Sequence, residues 1–243
     1  MTRNDGRRPD QLRPLSFQRE FTSYAEGSVL VAAGNTRVLC TASVTMGVPP
    51  WRRESGQGWL TAEYAMLPGS VVGRKRREVE RRDGRSVEIQ RLIGRSLRAA
   101  VDMRGFPNVT INVDCDVLQA DGGTRCASIC GAMVALHDAM KVLDKRGKLV
   151  SWPLRNWIAA VSVGYVNDCE LLDLDYSEDS NADVDMNVIT TESGALVEVQ
   201  GTAEREPFSR AVHDRLLDLA LAGTTEIVAA MRAAVEPVPT TPS

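Results

Sequence analysis

The hydrophobic pattern of the chain changes its period at one point, and this change constrains the fold more than any other feature. Over residues 111–117, apolar and polar residues alternate, which predicts a half-buried strand. Over residues 129–143, apolar residues recur at helical spacing, which predicts a helix. The predicted strand therefore leads into the predicted helix through Gly-Gly-Thr-Arg, residues 122–125.

The other segments complete an α+β order of elements. Residues 28–44 predict two strands joined by a turn at Gly34-Asn35, and Ser86 is the predicted N-cap of a helix that reaches Val101. Four further strands are predicted over 157–166, 170–175, 183–190 and 195–201. Two closing helices are predicted, over 212–222 and from 224 or 225 to 235. We expect one domain over residues 1–243, with a disordered tail at about 236–243.

Composition bounds the class of protein. The chain has 243 residues, 43% of them apolar and 25% charged, which is ordinary for a globular protein. No apolar run approaches the roughly 18 residues of a membrane span, and the polar start lacks the apolar stretch of a signal peptide. We therefore expect a cytoplasmic protein without a membrane partner.

Cysteine and histidine usage narrows the possible chemistry. The five cysteines form no Cys-x-x-Cys spacing, and four lie in apolar patterns, so buried reduced thiols are expected. Cys126 and Cys130 are one helical turn apart, but no third ligand for a metal is near. Two histidines, both in predicted helices, leave little for a histidine-based triad or zinc centre. An enzyme of this composition would depend on phosphate, Mg²⁺ and arginine.

Two short segments are candidate sites, each with a simpler alternative. Gly122 to Arg125 combines exposed backbone N–H groups, a hydroxyl and a guanidinium at a helix start, which suits an anion, although a plain turn is the alternative. Residues 176–187 carry four acids around a predicted junction between strands. Carboxylates that converge there could bind Mg²⁺, whereas the alternative is a solvated acidic loop.

Cations are concentrated in one place although the formal net charge is −3. Residues 73–85 contain seven basic and three acidic residues, and Arg91, Arg95 and Arg98 continue as a stripe on the next predicted helix. The overall charge disfavours nucleic-acid binding by global attraction, because phosphate-backbone affinity needs clustered cations. The cluster is therefore either a local RNA contact or a solvated helix face.

Several segments together resemble the bacterial ribonuclease PH family. They are AEGSVLV, VLCTASV, GWLTAEYAMLP, GRSVEIQRLIGRSLRAAVD, DCDVLQADGGTR, EDSNADVDMNV and VEVQGTAEREPF, and the likeness runs from about Asp5 to Ala234. The resemblance implies a phosphorolytic 3′-to-5′ exoribonuclease, or tRNA nucleotidyltransferase, that trims the 3′ ends of precursor tRNA. It also implies left-handed βαβ crossovers and a homohexamer built as a trimer of dimers.

The resemblance assigns roles to individual positions. Inorganic phosphate, the co-substrate, would bind Arg85, Gly123, Thr124 and Arg125, and Mg²⁺ or Mn²⁺ would bind Asp179 and Asp185. The catalytic set would then be Arg85, Arg125, Asp179 and Asp185. RNA would be bound by Arg74, Arg76, Arg77, Arg81, Arg82 and Arg91.

Three positions and the tail depart from the family pattern: Cys126 and Cys130 replace a Thr or another small residue, Arg205 replaces a Gly, and the tail is variable. Thiols directly behind the phosphate segment could make the site sensitive to oxidation. The alternatives are a catalytically silent RNA-binding subunit of an exosome-like ring, a polynucleotide phosphorylase, for which the chain is too short, and a plain RNA-binding module.

Overall fold

Two β-sheets and four α-helices make up the fold in the computed structural model, which describes residues 3–77 and 83–236. The first sheet has the order β1-β2-β3-β5-β4 and the second has the order β7-β6-β8-β9. The strands of the first sheet are β1 Leu15–Arg19, β2 Gly27–Ala33, β3 Thr36–Met46, β4 Trp59–Met66 and β5 Val109–Gln119. Those of the second are β6 Ile158–Val166, β7 Cys169–Leu172, β8 Val184–Thr191 and β9 Leu196–Ala203. The helices are α1 Gly84–Ala100, α2 Thr124–Lys145, α3 Tyr176–Asp179 and α4 Arg210–Val235.

Most predicted elements are confirmed, as is the α+β class with mixed sheets packed against helices. β2 and β3 pair antiparallel across the predicted turn. β4 and β5 are parallel neighbours, so α1 connects them as a crossover. Their carboxyl ends, Met66 and Gln119, therefore lie at the same edge of the first sheet, where the Gly-Gly segment begins.

The start of α1 differs from the prediction. Asp83, not Ser86, is the N-cap, because its carboxylate accepts a hydrogen bond from the backbone N–H of Arg85. Ser86 is buried inside the first turn. Arg85 consequently belongs to the helix and projects from its first turn instead of preceding it.

The two closing helices predicted from sequence are one continuous helix, α4. Gly223 does not break the helix, because it packs closely against Leu172 of β7. A Cβ at this position would lie 2.6 Å from Leu172 Cδ1, so only glycine permits this packing. The hydroxyls of Thr224 and Thr225 bond back to the carbonyl of Leu221 within the helix. Packing against β7 therefore overrides the weak helix propensity of this segment.

The central helix α2 joins the two sheets. It packs on β2 and β3 of the first sheet and on β6 of the second, and one continuous apolar cluster includes residues from both sheets. By length and composition α2 could span a membrane, but 89% of its most apolar window is buried in this fold. Its apolar character is thus accounted for by its central position.

Candidate active site

The Gly-Gly segment between β5 and α2 is tightly enclosed. Gly122 and Gly123 have φ of 74° and 63°, the left-handed region that disfavours side chains. A Cβ at Gly122 would lie 2.6 Å from the carbonyl oxygen of Leu174, and one at Gly123 would lie 2.8 Å from the Arg13 guanidinium. Both glycines are therefore required by the backbone and by its close neighbours, and they leave the first N–H groups of α2 unshielded.

Thr124 is the first residue of α2 and is fixed from the neighbouring sheet. Tyr64 on β4 donates a hydrogen bond of 3.0 Å from its hydroxyl to Thr124 Oγ1, and both residues are buried. Burial, only partly offset by this hydrogen bond and the nearby arginines, raises the pKa of Tyr64, so the tyrosine remains a neutral donor. The Thr124 hydroxyl is thereby held at the start of the helix.

A cavity of about 810 Å³ opens beside this segment. Four of the predicted site residues line it. They are Arg85 from α1, Gly123 and Thr124 at the start of α2, and Asp179 from α3. Arg125 follows Thr124 in α2, and its Nη1 donates to Gln200 Oε1 at 2.8 Å and to Glu88 Oε1 at 3.4 Å. The fold thus brings Arg85 and Asp179, which are far apart in the chain, to the same cavity.

The two predicted metal ligands lie close enough to influence each other. Asp179 ends the one-turn helix α3, whose start is fixed by a capping box between Asp175 and Glu178, and Asp185 lies on β8. Burial and, next, the neighbouring Asp179 raise the pKa of Asp185 to about 6. Burial also raises the pKa of Asp179, although Arg85 and Arg125 oppose this.

This acid pair fits a divalent cation. Oδ1 of Asp185 is buried and has no hydrogen-bond partner among the described residues. A buried carboxylate oxygen without a donor, next to a second carboxylate, is stabilised by a cation. Mg²⁺ commonly binds through one or two protein carboxylates and keeps several waters, so the donor set suits it.

Two hydrogen bonds in series connect Asp185 to the start of α2. Cys126 Sγ donates to Asn187 Oδ1 at 3.3 Å, and Asn187 Nδ2 donates to Asp185 Oδ2 at 3.4 Å. Burial raises the pKa of Cys126 well above its usual value and that of Cys130 to about 12. Both thiols are therefore poor nucleophiles, and the structure argues against the oxidation sensitivity expected from their position.

Buried arginines near the N-terminus bind the segments that carry the candidate site residues. Arg13 forms a bidentate ion pair with Asp173 at 2.7 and 3.0 Å, and its Nη1 donates to the carbonyl of Asp121 at 2.5 Å. Arg3 forms a buried pair with Glu178 of the α3 capping box at 2.6 and 2.7 Å. These contacts connect the N-terminal segment to both the Gly-Gly segment and the acid-bearing helix.

Four of the six predicted RNA-binding arginines lie in the part of the chain that the structure describes. Arg74, Arg76, Arg77 and Arg91 are exposed, whereas Arg81 and Arg82 lie outside the described residues. The helix stripe is not the free cationic face expected from sequence. Arg95 forms a bidentate pair with Glu198, and Arg98 donates to the Leu60 carbonyl beneath Trp59. Arg205 lies 3.4 Å from Asp183, so its charge is directed toward the acidic segment.

Sequence reasoning missed the residues that hold the site together. Arg13, Tyr64 and Gln200 lie far along the chain from the residues that they contact. Asn187 contacts its near neighbour Asp185 and the distant Cys126. The N-terminal arginines predict only a polar start, and nothing in the local sequence indicates that they are buried. The alternating pattern around Asp185 was the one usable signal, since it places Asn187 on the same strand face.

Comparison with known proteins places these residues in a family. Residues 11–141 match the model of the 3′ exoribonuclease family, domain 1, and residues 156–232 match that of domain 2. The chain is 58% identical over 236 residues to the ribonuclease PH of Corynebacterium glutamicum and 56% identical to that of Corynebacterium efficiens, with 96% of each chain covered in both cases.

Solved structures agree on the fold. Rice (Oryza sativa) Rrp46 matches with a TM-score of 0.78 and 22% identity, covering 95% of this chain and 98% of that one. The Archaeoglobus fulgidus exosome with RNA bound to the active site matches with a TM-score of 0.79 and 24% identity, covering 93% and 91%. On the sequence matches, this chain belongs to the ribonuclease PH family of phosphorolytic 3′-to-5′ exoribonucleases.

Proposed function

We propose that this enzyme trims the 3′ ends of precursor tRNA, and of other RNA, with phosphate bound by Arg85, Gly123, Thr124 and Arg125. The observation that carries the proposal is that Arg85, Gly123, Thr124 and Asp179 line the same cavity. A silent ring subunit would have no need to bring two arginines, an anion-binding helix start and a buried acid pair together.

Phosphate is a poor nucleophile in water because it is strongly hydrated, so the site must remove water and orient it. Arg85 and Arg125 supply planar, permanently charged donors that match phosphate oxygens in pairs. The Thr124 hydroxyl, fixed by Tyr64, and the backbone N–H groups at the start of α2 add directional donors. Together they aim one phosphate oxygen at the last phosphodiester of the RNA.

The acid pair would supply the metal site. Asp179 and Asp185 would hold Mg²⁺ or Mn²⁺, which when bound offsets the repulsion between phosphate and RNA and stabilises charge on the leaving oxygen. The protein keeps Asp185 in place through the Asn187 amide. Removing one group that stabilises transition-state charge typically lowers the rate by about 10²–10³.

The cavity is larger than phosphate requires and extends toward residues suited to a nucleotide. Its volume of about 810 Å³ falls within the roughly 300–1,000 Å³ of small-molecule sites. Tyr176 is 65% exposed at its rim, where a base could stack. Ser70 in the lining has a buried hydroxyl without a partner among the described residues, and it could donate to the sugar or the phosphate.

Family membership and the exposed cations support a proposal for the wider assembly. Lys75 lines the cavity, and Arg74, Arg76 and Arg77 lie next to it in the chain. These arginines would contact RNA beyond its last nucleotide. We propose a homohexamer, a trimer of dimers, in which such surfaces repeat. Five unpaired cysteines suit a reducing compartment, which supports action in the cytoplasm.

The test is a product analysis. The enzyme is incubated with a 3′-extended tRNA and Mg²⁺, with or without phosphate, and the released nucleotides are identified. Nucleoside 5′-diphosphates that appear only with phosphate are expected. Monophosphates would instead mean hydrolysis, and no product would favour the silent subunit. Arg125→Ala and Asp185→Asn should each abolish release while the oligomer stays intact, and a fully active Arg125→Ala would refute the proposed site.

A further inference from the structure

Gln200 on β9 holds the guanidinium of Arg125, and its orientation is fixed by its neighbours. Its Oε1 accepts from Arg125 Nη1 at 2.8 Å. Its Nε2 donates to Glu198 Oε1 at 3.1 Å and to Glu88 Oε1 at 3.3 Å. Because ionised carboxylates only accept hydrogen bonds, the amide must turn its NH₂ toward the acids and its oxygen toward Arg125.

The contact uses only part of the guanidinium. Nη1 bonds to Gln200 and Glu88, while Nε and Nη2 of Arg125 donate to none of the described residues. These two nitrogens form one edge of the planar group, and such an edge binds two oxygens of a phosphate at once. Gln200 therefore holds the side chain by the corner that phosphate does not need.

The neutrality of Gln200 matters as much as its position. Glu88, at 3.4 Å from Arg125 Nη1, is the longer of its two contacts and the anionic one. A carboxylate bound closely to Arg125 would reduce its attraction for phosphate. An amide oxygen fixes the same side chain without adding negative charge.

Gln200 is itself held from α1. Glu198, two residues earlier on β9, receives a bidentate pair from Arg95 at 2.7 and 3.0 Å. β9 is the edge strand of its sheet and much of it is accessible to solvent, so these side-chain contacts help to define its position beside α1. The continuous chain of contacts is Arg95, Glu198, Gln200 and Arg125.

We infer that Gln200 is a positioning residue for inorganic phosphate, which it serves by directing the free edge of Arg125 into the site. The inference rests on the proposed role of Arg125 in binding phosphate. It implies that a change at Gln200 alters the response to phosphate and leaves the response to RNA nearly unchanged.

The test is steady-state phosphorolysis with phosphate and RNA varied separately. Gln200→Leu, which keeps the size and removes the acceptor, is expected to raise the KM for phosphate about tenfold with little change in the KM for RNA. Gln200→Glu is expected to raise it at least as much, because it adds an anion beside Arg125. The matched control is Gln57→Leu, since Gln57 accepts from Arg52 at 2.6 Å near the amino end of β4, away from the cavity.

Arg125→Lys separates the inference from the function on which it rests. If Arg125→Lys leaves the KM for phosphate unchanged, the proposed phosphate site is wrong. If Arg125→Lys raises it but both Gln200 variants match the control, the site stands and the role of Gln200 is refuted. A rise in the KM for RNA equal to that for phosphate would also overturn the inference, because it would indicate general damage. The rise in unfolding temperature caused by phosphate gives a second readout and should shrink in both Gln200 variants.

Discussion

Replacing Asp185 by Asn should stabilise the metal-free protein while removing its response to a metal. Asp185 is buried, its Oδ1 has no hydrogen-bond partner among the described residues, and Asp179 is a nearby like charge. The asparagine can still accept from Asn187 through its oxygen, and it can direct its NH₂ toward Asp179. The variant therefore removes an unfavourable charge and keeps the local packing.

The magnitude follows from the pKa of Asp185, which rises from 3.8 to about 6 on folding. An acid whose pKa is raised in the folded state binds more protons there than in the unfolded chain, so stability falls as pH rises from about 4 to about 6. Above both values the cost is roughly 3 kcal/mol, at about 1.4 kcal/mol for each pKa unit. For a chain of this length the variant should unfold roughly 6–12 °C higher at pH 7.5.

The assay is thermal and urea unfolding with EDTA, from pH 4 to pH 8, with Asp144→Asn as an exposed control. The stability gain of Asp185→Asn should be near zero at pH 4, grow through pH 6 and then stay constant. Mg²⁺ should stabilise the wild type and leave the variant unchanged. A gain that does not vary with pH, or a variant less stable than wild type in EDTA at pH 7.5, would refute the electrostatic reasoning.

Three further predictions address the groups that hold the site. Gly123→Ala places a methyl group against the Arg13 guanidinium at φ 63° and should raise the KM for phosphate at least about tenfold in steady-state assays. Arg13→Met removes the bidentate guanidinium partner of buried Asp173 and leaves it the backbone N–H of residue 13 at 2.9 Å and Arg7 at 3.9 Å. The substitution should cost up to about 3–5 kcal/mol in urea unfolding, and adding Asp173→Asn should recover part of that loss. Asn187→Ala removes the donor to Asp185 and should weaken Mn²⁺ binding about tenfold, as measured by paramagnetic relaxation. Unchanged binding would show that Asn187 does not position Asp185 for the metal.

Local patterns were sufficient for most of the elements and insufficient for several of their ends. Period-two alternation located β5, and helical spacing located α1 and α2, because each reflects one buried face. The start of α1 and the continuity of α4 were predicted wrongly. In both cases a contact overruled propensity, the Asp83 cap in α1 and the packing of Gly223 on Leu172 in α4.

The candidate site divides in the same way. The available chemistry is already present in the chain, since arginines, glycines and acids in recognisable segments are local features that do not depend on folding. The burial of Arg13 against Gly123, the pairing of Arg95 with Glu198 and the contact of Gln200 with Arg125 arise only in the folded molecule. Burial and partnership depend on where distant segments meet, and no local pattern records that.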